Sequence, residues 1–343
     1  MDLKNTFSVK GIFVWMIIFK HYGGYYKRKN KYLFEKILVQ IDQKVVSMFL
    51  FYSGYGMYES VKKKGNKYAK TLPIKSFIIF IKSELMILIF VLRLIIYKKK
   101  IILKKYILSV FFYDTMGNSN WYTYTIILYY IYAYFSFVFI KNKKYNFLGI
   151  IIITIICYLH GYFTYFFYLK GKMCGVDNTL SFILGFCYSG FRKYTDKYIM
   201  KYHFSYFGIL TPFSLLFYYF YINKNKNIFM HNLMNGTFSI IVILMNMKVR
   251  FNNEFLKFLN VHSYSIYLLQ RAILATFYDQ KYLEKNECLR LFIQIGLIIF
   301  ISTTFDHSTS FIDKFFKRVD KRLEPKKAIE LVDETNKNII IKN

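Results

Sequence analysis

The sequence predicts an all-α membrane protein, a bundle of about ten transmembrane helices with no fused soluble domain, and three observations predict it. Apolar residues make up 55% of the 343 residues and aromatic residues 22%, and the mean hydropathy is +0.25. A soluble domain has too little interior for so many apolar side chains. They fall in blocks of roughly 15–22 residues, the length with which a helix crosses about 30 Å of hydrocarbon. Charged residues are concentrated between the blocks.

The net charge of +30, from 49 Lys and Arg against 19 Asp and Glu, is of the size found in nucleic-acid-binding proteins. Its distribution indicates a different partner. The basic residues form short runs between apolar blocks, at 62–64, 98–100 and 141–144. Such runs anchor the ends of membrane spans to anionic headgroups. The sequence therefore predicts the lipid bilayer as a partner and no nucleic acid.

The apolar blocks are interpreted as ten spans, at about 7–22, 37–58, 76–97, 121–140, 147–169, 178–191, 203–222, 228–247, 257–276 and 290–305. A further apolar stretch at 101–113 is interrupted by Lys104 and Lys105 and is too short to cross, which predicts a re-entrant or interfacial segment. Ten spans place both termini on one side. If that side is cytoplasmic, the inner segments after the N-terminus hold 25 Lys and Arg and the outer ones 17. The positive-inside rule thus favours this orientation. The expected location is the plasma membrane, with both termini in the cytoplasm.

The expected organisation is one integral membrane domain, 1–310, followed by a charged cytoplasmic tail, 311–343. The first apolar block carries no small-residue cleavage site, so we expect a first spanning helix there rather than a signal peptide. The tail mixes both signs of charge and is predicted to begin as a short amphipathic helix that ends near Pro325. The spans and their short connections must therefore carry the function.

Lys10 and His21 are the first candidate functional residues, because a charged group inside a span costs about 2.5–3.5 kcal/mol. They stand eleven residues apart in the first span. Eleven steps of 100° return to within about 20° of the start and rise about 16 Å. The two side chains therefore share one helix face and lie near opposite membrane surfaces. The same pattern is also compatible with two interfacial anchors, each reaching the nearer headgroup layer.

Further polar residues occur in the second and ninth spans. Asp42 and Lys44 point to different faces of the second span, so one or both must find a partner elsewhere or reach the outer interface. Ser53 and Gly54 permit close helix approach, so a packing role is as compatible with them as a functional one. Gln270 and Arg271 close the ninth span and are compatible with anchors. No phosphate-binding, hydrolase or metalloprotease motif is present, and the four cysteines lack metal-site spacing, so no metal is expected.

Six segments follow one another in an order that is found in a known family. The first runs from Lys10 to His21, a basic residue, a ten-residue spacer and a histidine. The other five are Phe49–Tyr55, Lys70–Pro73, Asn120–Tyr122, Asp177–Gly185 and Ser263–Gln270. Together they resemble the membrane acyltransferase-3 family, ten-span acetyltransferases that modify cell-surface polysaccharides and related acceptors. Phe49–Tyr55 is similar to the family's FFFxSGY segment, and Ser263–Gln270 to its SxxIYLxH/Q segment.

The resemblance implies transfer of an acetyl group from cytoplasmic acetyl-CoA, a donor substrate rather than a resident cofactor, to a hydroxyl of a surface or exported polysaccharide or a glycolipid. It implies that His21 acts as general base or carries the acetyl group as an acyl-histidine. Lys10 would lie near the donor. The basic segment 62–70, which is predicted to be a cytoplasmic loop, would either attract CoA phosphates or serve only to set the topology. Donor or acceptor binding is implied for Lys44, Ser53, Gly54, Asn120, Trp121, Asn178, Gln270 and Arg271.

Three features depart from the family's pattern. Lys10 stands where Arg is commoner, which keeps the charge but loses two-pronged binding of phosphate or carboxylate. Gln270 stands where many members have His, so no proton transfer is expected there. The fused extracellular hydrolase-like domain of some members is missing, which predicts a stand-alone transferase or one that uses a separate partner.

Two other classes of protein remain open. A polysaccharide transporter or polymerase of the cell envelope would also have many spans and abundant tyrosine. Polymerases of this kind usually carry a large outer loop, and transporters show repeats or paired broken helices; the sequence has neither. In a membrane scaffold without enzymatic activity, the polar face of the first span would have no catalytic meaning.

Overall fold

The computed structural model describes residues 3–25, 33–99, 102–110, 121–163, 178–201, 203–223, 227–249, 251–279 and 286–323. Every regular element in these ranges is helical, so the all-α prediction is confirmed. A 3-10 turn at Lys143–Tyr145 accompanies the α-helices of the described ranges, which are α1 (Leu3–Tyr25), α2 (Leu33–Lys64), α3 (Asn66–Ile96), α4 (Leu103–Val110), α5 (Trp121–Phe137), α6 (Asn146–Phe163), α7 (Thr179–Lys201), α8 (His203–Asn223), α9 (Ile228–Lys248), α10 (Glu254–Val261), α11 (Ser263–Asp279) and α12 (Glu287–Leu323).

By length and composition, three helices of the described ranges are suited to crossing a membrane. They are Asn146–Phe163, Ile228–Lys248 and Glu287–Phe316, the last within α12. Each of the ten predicted spans overlaps a helix of the described ranges, but only three helices there meet this criterion of length and composition, so a count of ten is not confirmed. The stretch predicted not to cross contains α4, whose eight residues extend only about 12 Å.

The ninth predicted span, 257–276, is not one helix but two, with a break at His262. Asn253 caps α10 by accepting a hydrogen bond from the Leu256 N–H at 3.0 Å, and α10 packs along α1. The approach is close because Gly11 has no side chain: a Cβ there would lie 2.1 Å from the Leu256 carbonyl oxygen. Helix α10 thus packs closely on α1, and α11 begins at Ser263.

One predicted non-helical region is wrong. The basic segment 62–70, predicted as a loop, is helical on both sides of Gly65, since α2 ends at Lys64 and α3 begins at Asn66. The motif segment Lys70–Pro73 lies within α3, with Pro73 inside the helix. Gly65 alone reverses the chain, with a φ of +60° that favours glycine. The predicted domain boundary at 310/311 lies inside α12, which continues to residue 323. The predicted helix end near Pro325 lies outside the described residues.

Helices α1 and α11 run side by side in the same direction. Their contacts progress together, from His21 with Arg271 (Nε2 to Nη2, 3.4 Å) to Tyr25 with Tyr278 (ring centroids 6.0 Å). We call the end of the bundle at which α1 begins the Asn5 end, and the opposite one the Tyr25 end.

Helix α12 runs antiparallel to α3. Phe77 packs on Phe316 with ring centroids 5.5 Å apart, and Lys82 donates to Asp313 at 2.9 Å, so residue numbers rise on one helix as they fall on the other. Helix α3 is in turn parallel to α11, because the Tyr264 hydroxyl donates to Ile79 O at 3.2 Å near the Asn5 end and Arg93 donates to Thr276 at 3.0 Å near the Tyr25 end. Helices α1, α3 and α11 therefore point one way and α12 the other.

Candidate functional site

One face of α1 carries four side chains that a helix places in line. Lys10, Val14, Ile17 and His21 follow at spacings of four, three and four residues. Val14 and Ile17 border a cavity with an empty volume of about 430 Å³, part of which opens to the outside. The cavity walls from the other helices are Val46 and Phe49 of α2, Tyr122 of α5, and Ser263, Tyr264, Ile266, Tyr267 and Gln270 of α11. The face predicted from the eleven-residue spacing therefore adjoins a cavity.

His21 ends this face, and the structure brings three predicted site residues together there. The imidazole is buried, its Nε2 lies 3.4 Å from the Arg271 guanidinium, and the Gln270 amide adjoins the ring. Because a guanidinium only donates hydrogen bonds, Nε2 is the acceptor in this contact. The His21 Nδ1 has no hydrogen-bond partner among the described residues. Gln270 also lines the cavity, so it links His21 to that space.

Basic side chains from four helices surround the Tyr25 end. We call Lys20, Arg93, Arg271 and Arg290, of α1, α3, α11 and α12, the cationic cluster. Arg93 and Lys99 both contact Asp279, Lys99 at 2.6 Å, and Arg290 contacts the Tyr22 hydroxyl at 3.4 Å and Glu287 at 4.0 Å. The positive charges of Arg271 and Arg93 both interact electrostatically with Tyr25, and those of Arg271 and Lys20 with His21. The cluster thus forms one electropositive region beside the candidate base.

Lys10 lies at the other end of the face. Its ammonium sits 5.5 Å above the Tyr52 ring of α2, a cation–π contact. The Tyr52 hydroxyl accepts a hydrogen bond from Asn246 at 3.5 Å, and Asn5 donates to the Asn246 carbonyl at 2.8 Å. Lys10 is therefore held where α1, α2 and α9 meet. It is not a wall of the cavity, whose α1 wall lies between Lys10 and His21.

The predicted residues of α2 and α5 divide between the cavity and a helix interface. Ser53 donates to Phe49 O at 2.8 Å and adjoins the Tyr122 hydroxyl, so it backs the cavity wall. Trp121 packs edge-on against Tyr122, with ring centroids 6.4 Å apart. Gly54 instead faces α7, where a Cβ would lie 2.2 Å from Phe182 O. Its position is that of a packing residue.

Lys44 and Asn178 lie away from this cavity. Lys44 is buried, and its ammonium sits 5.2 Å above the Tyr221 ring of α8. Asn178 is buried at the start of α7 and accepts a hydrogen bond from Asn235 of α9 at 3.0 Å. Asn120, also predicted for the site, lies outside the described residues.

The sequence analysis missed a buried polar face on α9, which we call the amide stripe: Asn232, Asn235, Ser239 and Asn246. It bonds to α7, where Ser239 donates to Ser181 at 3.2 Å, and it reaches α1 and α2 through Asn246. The signal available in the sequence was the spacing of these polar residues, three, four and seven apart within an apolar block, which places them on one helix face.

A second missed feature joins the break at His262 to α12. His262 Nδ1 lies 2.6 Å from an Asp306 oxygen, and the other oxygen accepts a hydrogen bond from Ser265. Asp306 is more than forty residues away in sequence, and it follows the last apolar block. No spacing rule connects residues so far apart.

We expect Asp306→Ala to lower the free energy of unfolding by about 2–3 kcal/mol, because two hydrogen bonds to a carboxylate are lost at the junction of α10, α11 and α12. Asp313→Ala, two turns along α12, is the matched control. Asp313 forms a half-exposed pair with Lys82 and should cost less than about 1 kcal/mol. Thermal unfolding of the purified variants measures both. Equal losses would show that the His262–Asp306 contact does not stabilise the junction.

In the basic segment 62–70 at the Asn5 end, Lys62 forms hydrogen bonds within the protein and other lysines are exposed. Lys62 donates to Glu59 at 2.6 Å and to Ser189 O at 2.7 Å. Burial raises the pKa of Glu59, but hydrogen bonds from Lys62 and Ser189 outweigh it and hold the pKa below its ordinary value. The exposed lysines of the segment are Lys63, Lys64, Lys67 and Lys70. These four are the ones available to a phosphate.

Comparison with known proteins adds no relative: no family model, curated protein or solved structure matches the chain.

Proposed function

We propose that the chain is a membrane-embedded O-acetyltransferase that moves an acetyl group from acetyl-CoA to a hydroxyl of a polysaccharide or glycolipid. The observation that carries the proposal is the face of α1: a cation at one end, a histidine beside Gln270 and Arg271 at the other, and a cavity between them. The motif resemblance supplies the donor and acceptor classes. Together they describe a site that separates donor and acceptor along one helix.

The proposal includes a bundle of about ten spans in the plasma membrane, with both termini in the cytoplasm. Large apolar side chains face outward on α6, α8 and α12, as a lipid-facing surface requires. The common direction of α1, α3 and α11, opposite to α12, fits alternate crossing of a bilayer. The Asn5 end, with the exposed lysines of the basic segment, is then cytoplasmic. The Tyr25 end, with His21 and the cationic cluster, faces outward.

In the proposed reaction, His21 takes the proton of the acceptor hydroxyl as that oxygen attacks the thioester carbonyl carbon. The carbon–sulfur bond breaks, CoA leaves as its thiolate and regains a proton, and the acceptor holds the new ester. Histidine is suited to this step because its charge changes near neutral pH. An acyl-histidine route remains the alternative. In both routes the positive charge of Lys10 attracts the donor, and Gln270 orients the acceptor or the thioester.

Incorporation of labelled acetyl from acetyl-CoA into polysaccharide, in membranes that contain the protein, tests the function directly. We expect Lys10→Ala to lower incorporation about tenfold, the effect of losing roughly 1.4 kcal/mol of donor attraction, and Lys10→Arg to preserve most of it. Lys144→Ala, an exposed lysine of another segment, is the control. No incorporation by the wild-type protein would refute the transferase, and full activity of Lys10→Ala would remove Lys10 from the site.

A polysaccharide transporter is the second candidate, and the amide stripe of α9 is the feature that favours it. Buried polar residues on one helix face often line a path for a polar substrate. Here Asn235 and Ser239 make hydrogen bonds to α7 side chains, which a transport path would have to break. Flux of polysaccharide across vesicles without acetyl incorporation would identify the transporter.

A further inference from the structure

We infer that the acceptor is an anionic glycan whose carboxylate or phosphate binds Arg271 beside His21. The inference rests on the proposed function and names the substrate class of that site. It follows from the contact between Arg271 and the base, from the charges of the Tyr25 end, and from the burial of His21 and Arg290.

Arg271 is in direct contact with the candidate base, His21. The guanidinium donates to Nε2 at 3.4 Å, and it has no lone pair with which to accept a hydrogen bond. While this contact holds, Nε2 is not available to an acceptor hydroxyl. A carboxylate or phosphate matches the guanidinium fork and binds it more strongly than a neutral imidazole nitrogen does. An anionic group on the acceptor would therefore draw Arg271 away and release Nε2.

Basic side chains predominate among the charged groups described around Arg271. Among the described residues of the Tyr25 end, the cationic cluster and Lys99 provide five basic side chains, and the acidic side chains Asp279 and Glu287 form ion pairs with members of this group. A positive field of this kind attracts anions and raises their local concentration. During proton transfer, His21 gains a positive charge close to Arg271 and Lys20. A negative charge on the bound acceptor would offset that repulsion.

Burial favours a glycan over a lipid headgroup as the source of the anion. His21 and Arg290 are only 7% and 4% exposed, so they are enclosed by the helices and do not lie on the surrounding surface. Headgroups bind basic residues at the membrane surface. The Tyr25 and Tyr278 rings, 6.0 Å apart, add flat surfaces with polar tips that suit a sugar.

The reaction then proceeds as follows. The anion of the acceptor takes over the hydrogen bonds of Arg271, and the neighbouring hydroxyl donates to Nε2. As in the proposed transfer, the oxygen attacks the thioester carbon, its proton passes to His21, and CoA leaves. The imidazolium returns its proton to the thiolate or to water. The anionic group is unchanged by the reaction.

Binding measurements on the full-length protein in neutral-lipid nanodiscs test the inference without using activity. The probes are labelled tetraglucuronate, a phosphorylated maltotetraose and maltotetraose. We expect at least one acidic probe to bind about tenfold or more tightly than maltotetraose, and more weakly as salt rises. Arg271→Gln should remove about tenfold of the affinity for the acidic probe, a larger loss than for maltotetraose. Lys144→Gln is the control, because it also removes one positive charge. Arg271→Lys keeps the charge but lacks the two-pronged guanidinium, so it shows whether the geometry of the guanidinium is needed in addition to its charge.

Three outcomes would overturn the inference. One is equal binding of acidic and neutral probes, and another is acidic binding that Arg271→Gln and Arg271→Lys leave intact. The third is loss of acidic-probe binding when phosphatidylglycerol is included in the nanodiscs, which would assign the cluster to lipid. Acetyl transfer to the same probes separates the two proposals. Equal transfer to both kinds would overturn the anionic preference alone, whereas transfer to neither would overturn the acetyltransferase.

Discussion

Replacing His21 by alanine is expected to lower acetyl incorporation by about 10²–10⁴-fold, the usual contribution of a general base. The substitution removes the only ring nitrogens that adjoin both Gln270 and the Arg271 guanidinium in the described part of the chain. Labelled acetyl transfer in isolated membranes gives the rate. The amount of protein in the membrane and its unfolding temperature show whether the fold is retained.

Two further variants make this result specific. His21→Gln keeps a polar side chain of similar size next to Arg271 but cannot serve as a base, so we expect it to be as inactive as His21→Ala. His307→Ala removes an exposed histidine of α12 and should leave the rate unchanged. If His21→Gln or His21→Ala transferred acetyl at the wild-type rate, His21 would be an interfacial anchor, and the base would have to be sought elsewhere.

The helical face of the site was predictable because helix geometry is local. Eleven residues fix the relative positions of Lys10 and His21 within one helix. Gln270 was found from a motif, and Arg271 from its position at the end of a span. Their contact with His21, however, depends on how α11 lies against α1, about 250 residues apart in sequence. The cavity was not predictable, since four helices contribute to its walls.

The charged residues of α3 show why the rest of the fold escaped the sequence analysis. Snorkelling and local ion pairs account for such residues when a span is considered alone. In the structure, Lys82 pairs with Asp313 and Arg93 with Asp279, both far away in sequence. The helix before the break at His262 also has a distant neighbour, because α10 packs on α1 where Gly11 leaves space for Leu256. Partners so distant have no signature in a periodic pattern.

The interface between α2 and α7 provides the second large effect, on folding rather than on chemistry. At Gly54 a Cβ would lie 2.2 Å from the carbonyl oxygen of Phe182, and at Gly185 one would lie 2.2 Å from that of Phe51. Backbone atoms on both sides leave little freedom to relax. We therefore expect Gly54→Ala to lower the free energy of unfolding by about 1–3 kcal/mol, the usual cost of overpacking, and Gly54→Leu to prevent assembly of the protein.

Gly56→Ala is the matched control, because it lies on the same helix and a Cβ there meets no atom within 4 Å. Alanine is the better helix former, so this variant should gain about 0.5–1 kcal/mol. The opposite signs, measured as unfolding temperatures in detergent, separate close packing from helix propensity. Because Gly54 and Gly185 belong to one interface, the loss in the double alanine variant should differ from the sum of the single losses. If both single variants at 54 and 56 unfolded at the same temperature, Gly54 would not be a contact between backbones, and its proposed place beside the donor would again be open.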